Sequence, residues 1–179
     1  QADDEAIRVF ATNLRDLQIW NRQLFCSTAS GTTQGVCTVG TGTPTTGAAI
    51  AQLPGFPTTG ISNYDFFFAD ANTLYVADDG ALSGGIRKYT QTAGTWSLAY
   101  TLAPLGTFCR YLTGKVDPAG VVTLFATTTQ TSANTIVSIV DAGAGSPFTT
   151  VATAAANTVF RGCRSLNARG SVLFGGAGS

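Results

Sequence analysis

The stretch Asn72–Gly80, "NTLYVADDG", contains the pattern that decides the fold. Its leucine followed directly by an aromatic residue recurs along the chain as Leu24-Phe25, Leu74-Tyr75, Leu124-Phe125 and Leu173-Phe174. The successive leucines are 50, 50 and 49 positions apart. A fixed period of this length is the signature of a repeat protein in which each unit is one supersecondary structure.

Four short β-type segments recur within each unit. In the second unit they are "YDFFFAD", "TLYVA", "IRKY" and "WSLAYTL", rich in aromatic and β-branched residues and separated by glycine, asparagine and aspartate. Four strands per repeat of about 40–50 residues are typical of a β-propeller blade, which we favour over a sandwich or a solenoid. The sequence therefore predicts an all-β propeller portion of about three and a half four-stranded blades. The approximate units are 5–55, 56–105, 106–157 and 158–179.

This blade number predicts that the chain does not form the propeller alone. Closed propellers usually carry about 4–8 blades, and a single blade cannot cover both faces of its own sheet. We expect the remaining blades to come from an N-terminal segment cleaved from the same precursor, or else from a second copy of the chain.

The composition limits the classes of partner. Among 179 residues, ten acidic residues balance ten basic ones, and only 11% are charged. Such a surface has no long-range field for nucleic acid, and no apolar run reaches the roughly 20 residues that a membrane helix needs. Four cysteines in a weakly charged chain favour an oxidising environment, so we expect a secreted or cell-surface protein.

Most of the chain resembles a family of secreted, β-propeller-like proteins of unassigned function. The matching pieces lie between Gly35 and Gly162 and include "VGTGTPTTG", "LPGFPTTG", "DFFFAD", "TLYVADDG", "GGIRKYTQTAGTWSLAYTL", "RYLTG", "VTLFATT" and "NTVFRG". They are similar to the C-terminal half of that pattern, which implies a missing N-terminal portion. The cysteines depart from the pattern, and the resemblance implies no catalytic residues.

The cysteine positions predict two disulfides. Cys26 and Cys37 flank a natural turn at Gly31, so they should face each other on adjacent strands. Cys109 and Cys163 fall near the first strands of two successive units. We predict the pairs Cys26–Cys37 and Cys109–Cys163 among the three pairings that four cysteines allow.

Two acidic residues at the end of the opening stretch are candidates for a metal site. The positions equivalent to Asp78 and Asp79 in the other units carry no acids, so the fold does not require them. One interpretation is a turn at a strand end, in which the carboxylates accept backbone N–H bonds. The other is a Ca²⁺ site that includes Asp65 and Asp70, because hard cations bind several oxygen ligands at once. No cofactor is otherwise required.

The sequence favours a binding or assembly module over an enzyme. The chain has no histidine, which excludes Ser-His-Asp and Cys-His chemistry within it. The ligand would be a polysaccharide, a surface protein or further copies of the chain itself, and an exposed ring among the aromatic residues would stack on a sugar. Arg110 and Arg161 occupy matching places, where we expect a structural role. The alternatives are an extracellular polysaccharide lyase or hydrolase that uses carboxylates, and a structural subunit of a filament or coat.

Overall fold

The fold consists of antiparallel sheets that follow one another along the chain. The computed structural model describes residues 13–31, 33–80, 84–102, 108–165 and 172–174. These residues form three four-stranded sheets and one two-stranded sheet, without helices. The strands are β1 (Leu14–Trp20), β2 (Gln23–Thr28), β3 (Gly35–Val39), β4 (Ile50–Gln52), β5 (Asn63–Asp70), β6 (Thr73–Asp78), β7 (Gly85–Thr92), β8 (Thr95–Leu102), β9 (Cys109–Val116), β10 (Val122–Thr128), β11 (Thr135–Val140), β12 (Phe148–Thr153), β13 (Cys163–Ser165) and β14 (Val172–Phe174).

Each sheet is a meander in which neighbours in sequence are neighbours in space. Sheet one has the order β1-β2-β3-β4, sheet two β5-β6-β7-β8, sheet three β9-β10-β11-β12, and the short sheet four pairs β13 with β14. The strands of each sheet fall within one of the four predicted units. The prediction of an all-β protein with four strands per repeat is therefore confirmed, and the arrangement of the sheets as a propeller stays a prediction.

Tight turns keep the strands of each meander adjacent. The loop between β7 and β8 has only two residues, Ala93 and Gly94, and both have positive φ (49° and 83°). Two successive positive-φ residues give a hairpin turn whose twist matches the twist of the flanking strands.

The recurring Leu-aromatic pair lies in the second strand of every sheet. In sheet two, Leu74 packs into the apolar core shared with sheet one, and Tyr75 packs into the core shared with sheet three. Successive side chains of a strand point to opposite faces, so the two residues of the pair reach two different cores. A sheet that is covered on both faces needs apolar residues at both positions, and this requirement explains the repeated motif.

Successive sheets meet along their first strands. Strand β5 lies between β1 and β9, and β13 lies beside β9. The loop after β4 also packs on sheet two, where the carbonyl oxygen of Pro54 accepts a hydrogen bond from the Trp96 N–H (2.8 Å). A Cβ on Gly55 would lie 2.1 Å from the Trp96 carbonyl oxygen, so the contact requires glycine there.

Among the described residues, no helix is long and apolar enough to span a membrane.

Candidate binding surface

The carboxylate of Asp78 stabilises the turn after β6. It is fully buried, and its Oδ1 accepts hydrogen bonds from the N–H groups of Ser62 (3.2 Å) and Gly80 (2.8 Å). Its Oδ2 forms an ion pair with the Arg87 guanidinium at 3.2 Å. These contacts are those of the strand-end turn that the sequence suggested as one interpretation.

The carboxylate of Asp79, unlike that of Asp78, connects sheet two to sheet three. Its Oδ1 accepts a hydrogen bond from the Ser62 hydroxyl (2.6 Å), and its Oδ2 accepts one from Arg110 Nε (2.9 Å). The carboxylate therefore fixes the Arg110 side chain at the edge where β9 begins.

The other two acids of the candidate Ca²⁺ site lie elsewhere on β5. Asp65 is buried between the first strands and accepts a hydrogen bond from the Leu112 N–H (2.9 Å). Burial, and then the nearby carboxylate of Asp16, hold the pKa of Asp65 well above its usual range. Asp70 stands at the far end of β5, exposed to solvent. Within the described part of the chain, no three His, Cys, Asp or Glu side chains form a metal-binding group, and Ca²⁺ binding stays an untested prediction.

The predicted disulfide partners lie near each other. Cys26 and Cys37 are directly opposite in the β2–β3 ladder, and both are fully buried. The interaction of the two neighbouring thiols lowers the pKa of Cys26 and raises that of Cys37. Cys109 and Cys163 begin the neighbouring strands β9 and β13 and are also buried. All four sulfurs are thiols in the structure, so both disulfides stay predictions.

An aromatic and basic surface lies at the edge where the first strands begin. Two half-buried tyrosines from different sheets, Tyr64 and Tyr111, meet edge to face with ring centroids 5.2 Å apart. The guanidinium carbons of Arg15 and Arg110 lie 4.6 Å and 5.5 Å from the centre of the Tyr64 ring. We call these four residues, together with Arg161, the arginine–tyrosine surface.

A groove extends this surface toward the segment before β13. Its volume is about 100 Å³. Its lining residues are Arg110, Tyr111, Thr127, Thr128, Gln130, Thr131, Asn134, Val159, Phe160 and Arg161. Arg110 and Arg161 thus line the same groove. Burial raises the pKa of the Tyr111 hydroxyl, and the positive charges of Arg161 and Arg110 oppose that rise.

The buried amide of Asn134 fixes the far wall of the groove. Its Nδ2 donates hydrogen bonds to the carbonyl oxygens of Thr128 and Phe160 (3.1 Å each), and its Oδ1 accepts one from the Phe160 N–H (2.7 Å). The backbone that carries Arg161 is therefore tied to sheet three, and the position of this arginine beside the groove is set by the fold.

The charges on this surface are mostly positive. Asp79 pairs with Arg110. Arg15 donates a hydrogen bond to the neutral Asn13 side chain, and Arg161 is exposed without a carboxylate at ion-pair distance among the described residues. Among the residues that the structure describes, three guanidinium groups on this surface therefore meet one carboxylate, although the whole chain carries no net charge.

A second pocket, of about 170 Å³, lies farther along the first strands. Gln18, Trp20, Thr113 and Arg164 are among its lining residues. Arg164 is held in place by Asp16, with Nη2 and Oδ1 2.5 Å apart. Because its arginine is already paired and Trp20 is stacked on Phe68 with ring centroids 4.6 Å apart, this pocket offers fewer unengaged groups than the arginine–tyrosine surface.

The sequence identified this surface only in part. It pointed to the aromatic residues as a group and to the pair Arg110 and Arg161, but it missed Arg15 and Tyr111. Arg15, Tyr64 and Arg110 are each the second residue of a sheet's first strand. Aligning the first strands of the repeat would have brought these residues together.

Comparisons with models of protein families, with curated proteins and with solved structures found no match. The resemblance to a secreted propeller-like family therefore stays a hypothesis.

Proposed function

We propose that the chain is part of an extracellular β-propeller that works as a binding module for polysaccharide. Three meanders of four strands that meet along their first strands support the propeller, because blades are arranged around an axis in this way. The repeat of about 50 residues supports it independently.

Further blades, from another chain or a cleaved segment, would cover the outer sheets. Leu17 and Ile19 on β1 are 46% and 66% exposed, and Val140 and Val151 in sheet three are 52% and 48% exposed. Exposed apolar side chains on the two outer four-stranded sheets are consistent with faces that neighbouring blades bury. The native particle should then have a mass well above the 18.4 kDa of the chain; a stable native particle of that mass would contradict this completion.

The observation that carries the binding function is the pair Tyr64 and Tyr111 flanked by arginines. Tyrosine and arginine are enriched among residues that dominate binding energy, because each offers a large flat surface together with hydrogen-bond donors. Here the two rings come from neighbouring first strands and pack against each other, and the Tyr111 backbone N–H donates a hydrogen bond to the Thr127 hydroxyl. Such a rigid surface needs little reorganisation to bind a sugar chain.

Binding to immobilised glycans tests this function. We expect wild-type protein to bind at least one polysaccharide without forming products, and Tyr111→Ala to weaken that binding about tenfold or more. Lys115→Ala, an exposed substitution at the other end of β9, is the matched control and should leave binding unchanged. An unfolding curve for each variant separates lost binding from lost folding.

Two results would contradict the proposal. If the protein binds none of the polysaccharides tested, the proposed binding function is wrong. Product formation that disappears in Asp79→Asn would instead support the alternative of a carboxylate-based enzyme. Asp79 is a better choice for this substitution than Asp78, whose buried ion pair makes any change there a change in stability.

A further inference from the structure

We infer that the arginine–tyrosine surface selects acidic polysaccharides by holding a uronate carboxylate in the groove between Arg110 and Arg161. This inference rests on the proposed function and names the chemical class of its ligand. It starts from the three guanidinium groups at this edge, which meet a single carboxylate within the described part of the chain.

The groove is suited to a planar acid group. Arg110 donates its Nε–H to Asp79, and among the described residues its terminal nitrogens make no hydrogen bond to a carboxylate. The Arg110 side chain is 40% exposed, so these nitrogens can be reached from solvent. A guanidinium group matches the geometry of a carboxylate and can bind it through two parallel hydrogen bonds.

Arg161, another residue that lines the groove, supplies the second charge. Its backbone is tied to sheet three through the Asn134–Phe160 hydrogen bonds, so its presence at the groove does not depend on a ligand. Among the described residues it has no ion-pair partner, so an external acid would displace none of the described carboxylates from it.

The volume of the groove limits what enters it. About 100 Å³ accommodates an acid group and part of one sugar ring, whereas whole small-molecule ligands occupy pockets of roughly 300–1,000 Å³. The rest of the polysaccharide would lie over Tyr111 and Tyr64, whose rings stand beside the groove. The carboxylate thus determines the choice of ligand, and the tyrosines supply contact area.

The test compares acidic oligosaccharides with their neutral methyl esters. The probes are oligomers of galacturonate, mannuronate and glucuronate-containing hyaluronan, each measured by calorimetry at low salt beside its methyl ester. We expect at least one acid to bind, its methyl ester to bind about tenfold or more weakly, and added salt to weaken the binding of the acid. Sulfated dextran is included because a sulfate ester carries the same charge with another shape.

Variants locate the acid group. Arg161→Ala should weaken binding of the acid about tenfold or more and should not change binding of the methyl ester. Arg161→Lys should recover only part of the affinity, because lysine keeps the charge without the two-nitrogen geometry. Lys115→Ala removes an equal charge on β9, outside the residues that line the groove, and should have no effect.

The outcomes separate this inference from the function on which it rests. If neutral glycans bind as well as acids, or if Arg161→Ala binds the acid as wild type does, the inference is wrong and the binding function stands. If sulfated dextran alone binds, the choice of a carboxylate is wrong. If no glycan of either kind binds, the proposed function fails together with the inference.

Discussion

Asp141 joins sheets two and three through a single carboxylate. It accepts hydrogen bonds from the Tyr75 hydroxyl (2.5 Å), Lys88 Nζ (2.9 Å) and the Tyr100 hydroxyl (2.7 Å). All three donors belong to sheet two, whereas Asp141 follows β11 in sheet three. Burial disfavours the charged carboxylate, but these hydrogen bonds outweigh burial and lower the pKa of Asp141 to about 2.

Replacing this carboxylate should destabilise the protein. Asp141→Asn leaves the Lys88 ammonium without its counter-ion, and removing one partner of a buried ion pair costs about 3 kcal/mol or more of unfolding free energy. The Asp141 side chain is only 2% exposed and that of Lys88 is 21% exposed, so water replaces the lost carboxylate only in part. Urea unfolding at neutral pH measures the loss, and Asp70→Asn, a substitution of an exposed acid, should change stability by less than about 0.5 kcal/mol.

The pH dependence of this contribution has a definite sign. The folded protein lowers the pKa of Asp141 below the ordinary carboxyl value of about 3.9, so the stabilisation is complete above that value. It is lost as the pH falls through the folded pKa of about 2. The difference in unfolding free energy between wild type and Asp141→Asn should therefore shrink between about pH 4 and pH 2. An equal difference at pH 2 and pH 6 would contradict this role.

At the scale of single residues, the sequence indicated less than the structure shows. It drew attention to Asp78 and Asp79 because the other repeats lack acids there, and it offered a turn as one interpretation. It gave no sign of Asp141, whose partners lie 41 to 66 positions away in the chain. Contacts of this kind depend on how two sheets stack, and strand periodicity does not encode the stacking.

Strands and their pairing were predictable because local rules determine them. Each predicted segment of the second unit corresponds to one strand of sheet two, from "YDFFFAD" in β5 to "WSLAYTL" in β8. Alternation of side chains, turn residues and the repeat all indicate the same strands. The direct pairing of Cys26 with Cys37 is also shown, since equal distances from a turn place two residues opposite each other.

We predict that two disulfides, Cys26–Cys37 and Cys109–Cys163, join neighbouring strands. Both pairs join neighbouring strands whose cysteines are buried, so oxidation would connect elements that are already in contact. Titration of the denatured, unreduced native protein should find no free thiol, and peptide mapping should find Cys26–Cys37 and Cys109–Cys163. Two or four free thiols would contradict the prediction.

At the scale of the whole molecule, the sequence predicted how the sheets repeat but not the surface that they form together. Tyr64, Tyr111 and the three arginines come from sheets one, two and three and from the segment before β13. They meet because the first strands lie side by side and begin at one edge. The arginine–tyrosine surface is thus a product of the assembly of sheets, and a single repeat does not contain it.

A crystal structure of the native particle with bound acidic oligosaccharide is the measurement that would decide whether this surface is the binding site. The ligand should be the tightest-binding uronate oligomer, and we predict its carboxylate within hydrogen-bond distance of the Arg110 and Arg161 guanidinium groups. A sugar ring should lie against Tyr111, and the sheets should be arranged as blades around an axis. Ligand density at the pocket beside Arg164, or at any site away from the arginine–tyrosine surface, would contradict the proposal.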